Sequence, residues 1–211
     1  MEFQRARTKE QIQNREEEIL SACYTLLQQE EYESITLKAI SEITSISRTS
    51  LYSYYQTKEE VFLDLLKREY LAWGEELREA FEQKQAMEKE EFCHLLTDTL
   101  LRRDIMMELL SVHLTAIEKN CSLEKLILFK KESQKVFDIL TDGIARFFPQ
   151  ADLKKRVLFL QQFLIFTYGL YPYSHPTEKQ QEALKQAGIR NDTPETNQFC
   201  YKGLLLLAAE L

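Results

Sequence analysis

The chain has 211 residues, 44% of them hydrophobic, which is enough to bury a sizeable core and excludes an intrinsically disordered protein. Its 27 basic and 34 acidic residues leave a net charge of −7, so any nucleic-acid surface must be a local basic face on an acidic body. Only 5 Gly and 4 Pro interrupt it, too few for the turns of a strand-rich protein, and an all-α fold is expected.

Residues 1–8 read as a loose arm, and residues 1–9 set Arg5, Arg7 and Lys9 against Glu2. A first helix over 9–30 spaces Ile12, Ile19, Leu20, Cys23, Leu26 and Leu27 along one stripe. Thr36 caps a short second helix, 37–44, with Leu37, Ile40 and Ile43 inward. Thr44-Ser45-Ile46 forms a turn, and Ser47 caps a third helix over 48–54. Thr57-Lys58-Glu59-Glu60 has the spacing of a capping box, with Thr57 as cap and Glu60 reaching back, and a long helix follows over 58–83. A charged connector, 82–91, leads to helices over 90–102 and 104–118. Asn120-Cys121-Ser122 then separates these from a helix over 123–148 that stops before Pro149. The next helix, 151–171, ends before Pro172. A turn at 172–176, a short helix at 177–187 ending at Gly188, and a polar loop at 189–194 precede the last helix, 195–210.

The most specific signal lies in residues 35–62. A helix-turn-helix needs one helix that packs and holds, and a second that shows polar side chains to base edges. Here Ala39, Ile40, Ile43, Ile46 and Leu51 suit packing, while Arg48, Thr49 and Tyr52 fall on one outward face. Arginine pairs with guanine and the threonine methyl suits thymine. Tyr54 and the Thr36 hydroxyl suit phosphate oxygens, Ser47 belongs to the same surface, and Lys58 adds its charge to the positive end of the long helix. Tyr55 and Leu51 are core residues.

Over Ser45-Ile46-Ser47-Arg48-Thr49-Ser50-Leu51-Tyr52-Ser53-Tyr54-Tyr55-Gln56-Thr57-Lys58-Glu59-Glu60-Val61-Phe62 the chain resembles the TetR family of bacterial transcriptional repressors. The family pattern there is Gly-Val-Ser, two variable residues, Leu-Tyr-x-Tyr/His-Phe, two residues, then Lys-Glu-x-Leu/Phe. Ser34-Ile35-Thr36-Leu37-Lys38-Ala39-Ile40 upstream is similar as well. Two departures stand out: Ser45 occupies the usual glycine position and Tyr55 the usual phenylalanine. A left-handed backbone would cost Ser45 about 1 kcal/mol, so either it tolerates that cost or the turn differs.

The resemblance implies an N-terminal three-helix DNA-binding domain, 1–56, and a C-terminal helical domain, 57–211, for ligand binding and dimerisation. It further implies a homodimer on a palindromic operator in double-stranded DNA, released when a small hydrophobic or aromatic effector shifts the long helix. The sequence supports a dimer separately, because helices 157–171 and 195–210 carry more apolar surface than one buried face needs and could form a four-helix interface. Trp73, Met106, Met107, His113, Phe129, Phe137 and Phe166 are the candidate effector-pocket residues, since aromatics and methionines make adaptable apolar walls. The same residues also suit a plain core.

Little else carries chemistry. Cys23, Cys93, Cys121 and Cys200 are widely spaced, with no Cys-x-x-Cys, and read as reduced thiols in a cytoplasmic protein. Cys93-His94 lacks further ligands at metal spacing, no glycine-rich phosphate loop occurs, and neither cofactor nor catalysis is expected. The charged N-terminus does not read as a secretory leader, and the apolar run Val157–Tyr173 contains Gln161 and Gln162, so a buried helix is expected there instead of a membrane span. Two alternatives stay open: the same DNA-binding head on a body that takes a protein partner in place of an effector, and a helical-bundle enzyme whose head is incidental.

Overall fold

Thr8 opens the first helix as its N-cap: its hydroxyl accepts from the Gln11 N–H, and the Gln11 side chain bonds back to the Thr8 backbone. In the computed structural model, which describes residues 8–190 and 195–211, that helix is α1, Lys9–Leu27. It buries Ile19, Leu20, Cys23, Leu26 and Leu27, whereas Ile12 is exposed. The Thr36 hydroxyl accepts from the Ala39 N–H and starts α2, Leu37–Glu42. The Ser47 hydroxyl accepts from the Ser50 N–H and starts α3, Arg48–Leu51. Both are shorter than their sequence signals. α2 stops because Ile43 leaves the helical region, and Ile43 is 52% exposed, not inward. After α3 the chain tightens, with the Ser53 and Tyr54 N–H groups bonding three residues back to Ser50 and Leu51.

The long helix α4 is Lys58–Glu82, followed by α5, Lys89–Leu101, and α6, Asp104–Val112. The single helix expected over 104–118 is therefore broken. A π-helical turn, His113–Ile117, widens the path, keeps His113 and Ile117 both buried, and passes into a 3-10 turn at Glu118–Asn120. Next come α7, Leu123–Phe147, α8, Leu153–Ser174, α9, Glu178–Gln186, and α10, Thr196–Leu207, with a terminal 3-10 turn at Ala208–Glu210. α8 runs through Pro172 instead of stopping before it. Proline has a helical φ and costs one N–H, and here that cost falls in the last turn, where the Ser174 hydroxyl donates to the Leu170 carbonyl. Gly188, at φ 68, supplies the left-handed residue just beyond α9. The expected arm at 1–7 and the loop residues 191–194 lie outside the described residues.

The helices group into two compact units. The first runs up to Arg68 and takes in His113–Lys131. Its core holds Ile19, Cys23, Ile35, Ile40, Leu51 and Tyr55, and the Tyr32 and Phe62 rings meet at 4.7 Å. The second is Glu69–Val112 with Glu132–Leu211. There α6 packs on α8, and α10 packs on both α5 and α8. Phe81, Phe92, Phe147, Phe148, Phe159 and Phe163 form a continuous ring cluster, and Trp73 stacks on Phe163. Gly143 faces the Phe81 ring so closely that a Cβ there would collide with it. α4 and α7 contribute to both units.

Candidate nucleic-acid interface

The first unit shows its polar face at α3. Arg48, Thr49 and Tyr52 are exposed, while Leu51 on the same short helix is fully buried. The Arg48 guanidinium lies over the Tyr52 ring, 5.8 Å from its centroid, and reaches the phenol oxygen at 3.5 Å. Thr36 and Ser47 are exposed and their oxygens cap α2 and α3; the Thr36 hydroxyl hydrogen is left able to donate outward, whereas the Ser47 hydroxyl donates to the Ser50 hydroxyl oxygen at 3.1 Å. Tyr54 is half-buried. Lys58 sits differently from the rest: its ammonium donates to the Tyr32 carbonyl at 2.9 Å and the Glu33 carbonyl at 3.1 Å, and it covers the Tyr32 ring. A phosphate would have to compete with those carbonyls.

The turn before α3 departs from a glycine-type turn. No non-glycine residue among those described has a positive φ, so Ser45 is not left-handed. α1 holds the turn instead. The Ser45 N–H donates to the Glu18 carboxylate, and Arg15 donates to both the Ser45 hydroxyl oxygen and Glu18. Burial alone would raise the Glu18 carboxyl, but the bonds from Ser45 and Arg15 outweigh it and hold the group below the usual carboxylate range.

Behind this face, α4 carries two buried carboxylates. The Glu60 N–H donates to the Thr57 hydroxyl oxygen at 3.2 Å, as the capping spacing predicts. Its carboxylate, however, accepts from the Gln56 N–H at 2.8 Å, one residue before the expected partner, and from the Ser122 N–H at 3.2 Å. Asp64 accepts from Lys67 and Lys125, each at 2.6 Å. Burial pushes against its ionisation, yet the two lysines hold it below the usual range. Burial and the Asp64 charge together push the Tyr55 phenol well above its ordinary value. The sequence did carry a sign of this cluster: Asp64 is the one charged residue within the buried run Val61-Phe62-Leu63-Asp64-Leu65-Leu66.

The seven effector candidates divide between the units. Trp73, Met106, Met107, Phe137 and Phe166 belong to the second, whereas His113 and Phe129 belong to the first. Trp73 is buried with its indole N–H donating to Thr99 at 3.0 Å, and Tyr70 lies about equally far from the Trp73 and Phe137 rings, at 6.3 and 6.2 Å. Phe166 packs against α10 at Gly203. Buried His113 lies 3.9 Å from the Glu118 carboxylate. An open groove of about 620 Å³ in the second unit is lined instead by residues of the α8–α9 region, including Pro172, Tyr173 and Leu184. Cys23, Cys93 and Cys200 are buried, and Cys121 is half-buried. Among the described residues no cluster of His, Cys, Asp and Glu could hold a metal ion, and no helix is long and apolar enough to cross a membrane.

The same arrangement recurs in solved structures. A TetR family repressor, AlkX from Dietzia sp. strain DQ12-45-1b, implicated in biodegradation of n-alkanes, superposes with a TM-score of 0.55 at 11% identity, over 92% of this chain and 93% of that one. Thermus thermophilus FadR, a TetR family transcriptional repressor in complex with lauroyl-CoA, superposes with a TM-score of 0.56 at 16% identity, over 85% of this chain and 98% of that one. At these identities the likeness shows the fold alone. No curated protein sequence matches the chain. The family model for bacterial regulatory proteins of the tetR family matches residues 19–65, and the model for the tetracyclin repressor-like C-terminal domain matches residues 67–195. With both models matched across most of its length, the chain belongs to the TetR family of transcriptional regulators.

Proposed function

We propose that this regulator binds a palindromic operator as a homodimer, reads it with Arg48, Thr49 and Tyr52, and is released by a small hydrophobic effector. One observation carries the DNA assignment: a polar, exposed Arg48–Thr49–Tyr52 face stands on a helix whose opposite side, Leu51, is locked into the core. Thr36, Ser47 and Tyr54 serve as phosphate donors around it, and Lys58 contributes charge from the start of α4. The dimer assignment draws on α8 and α10, where Ile165 is 72% and Leu206 77% exposed in the single chain. Large apolar side chains left this open are typical of a surface that a second copy covers. The effector assignment draws on the aromatic and methionine side chains of the second unit, and lauroyl-CoA, bound by a solved relative, is a first probe.

The test is Arg48→Ala measured on operator DNA. Loss of discrimination between operator and unrelated DNA, with an unchanged helical circular dichroism spectrum, is the expected outcome. Equal affinity of parent and variant for the operator refutes the assignment.

A further inference from the structure

Resting on the DNA-binding assignment above, we propose that Glu60 and Asp64 are positioning residues for operator reading, through which the start of α7 holds the head at the angle its DNA requires.

Thr57, Glu60 and Asp64 follow at intervals of three and four and so share one face of α4. Each makes a tie to the segment that begins α7. The Thr57 hydroxyl donates to the Asn120 carbonyl at 3.1 Å. Glu60 accepts from Ser122, and Asp64 accepts from Lys125. Glu60 also bonds directly to the exit of the head, accepting from the Gln56 N–H at 2.8 Å. The Lys125 ammonium additionally lies 4.4 Å from the Tyr55 ring centroid. Glu60 is thus a bridge by its own bonds and Asp64 through Lys125, so shifting the first turn of α7 strains the link to the head as well.

Placing charge here is costly. Glu60 is 3% and Asp64 7% exposed, on a helix otherwise filled with Phe62, Leu63, Leu65 and Leu66. Apolar residues would seal the same seam with no desolvation penalty, whereas hydrogen-bonded ions fix one geometry. None of the bonds involves Arg48, Thr49 or Tyr52, so the cluster leaves the proposed base-reading groups free and acts on them only through placement.

The experiment measures affinity for operator and unrelated DNA, at two salt concentrations, for the full-length parent, Glu60→Gln, Asp64→Asn, Lys125→Met, Lys125→Arg and Asp64→Asn/Lys125→Met. The expected result is a loss of about tenfold on operator DNA for Glu60→Gln, Asp64→Asn and Lys125→Met, the scale of coupling within one network. Affinity for unrelated DNA and the salt slope stay at parental values, Lys125→Arg retains binding, and the double variant is no worse than its worse single. Ser122→Pro guards against misfolding: it deletes the N–H given to Glu60, buries no charge, and follows Cys121, whose extended backbone (φ −97°, ψ 153°) suits a residue before proline. It too loses operator affinity. Folded variants with parental operator affinity overturn the proposal, as does an equal loss on both DNAs with a reduced salt slope, which would mark a direct phosphate contact. A parent that does not discriminate operator DNA overturns the DNA-binding assignment and this inference with it, and the parent alone reveals that case.

Discussion

At Ser45 a single residue shows how this chain solves a problem the family usually gives to glycine. The turn stays in the ordinary backbone region, with the Ser45 N–H satisfied by Glu18 and its hydroxyl by Arg15. Glycine at this position therefore offers no relief of strain and brings its larger unfolded-state entropy. Ser45→Gly is expected to destabilise by about 0.5–1 kcal/mol, and Glu18→Ala by about 1 kcal/mol through the loss of a charge-assisted bond at a half-exposed site. Urea denaturation checks both, and a stabilising Ser45→Gly contradicts the turn geometry. Asp64 gives a pH signature. Its folded carboxyl lies below the unfolded value of about 4, so its stabilisation is complete above the ordinary carboxylate range and is lost as pH falls through the folded value. Asp64→Asn leaves Lys125 without its buried partner and is expected to cost about 3 kcal/mol at neutral pH. That gap should narrow in denaturation at about pH 3. A constant gap across the range would show that the Asp64 charge contributes nothing to folding.

At the scale of elements, apolar periodicity and capping residues revealed most of the helices. Thr36, Ser47 and Thr57 all cap where their side chains predict, and Tyr55 lies in the core. Tertiary context explains the departures. Pro172 ends a helix in isolation but is accommodated when it falls in a last turn stabilised by Ser174. No local signal marks the π-helical turn at 113–117, because it depends on burying His113 and Ile117 together. Ile43 looks inward by spacing, yet it falls at the frayed end of α2, where the spacing no longer applies. The outward character of Arg48, Thr49 and Tyr52 was legible because polar and apolar residues alternate there at helical spacing. The Glu18–Ser45 and Asp64–Lys125 contacts were not, since they join residues 27 and 61 apart in the chain. Close helix approach gives a further prediction. Gly143→Leu drives a side chain into the Phe81 ring and is expected to cost about 1–3 kcal/mol by overpacking, read as a lower urea midpoint. An unchanged midpoint would mean that the ring moves aside freely.

For the whole molecule, the proposed dimer draws on the exposed apolar residues of α8 and α10, and the net charge of −7 means that the proposed DNA contact must be a small local face. Ile165→Glu with Leu206→Glu is expected to yield monomers in light scattering and to weaken operator binding, because a single head loses the second half-site. Dimers of unchanged mass would place the interface elsewhere. The most direct measurement is fluorescence anisotropy of the purified protein on the intergenic DNA upstream of its own gene, with unrelated DNA as control, at two salt concentrations. Tight binding that discriminates against the control and weakens steeply as salt rises is the expected result. Absence of any DNA binding at low salt would overturn the DNA-binding assignment.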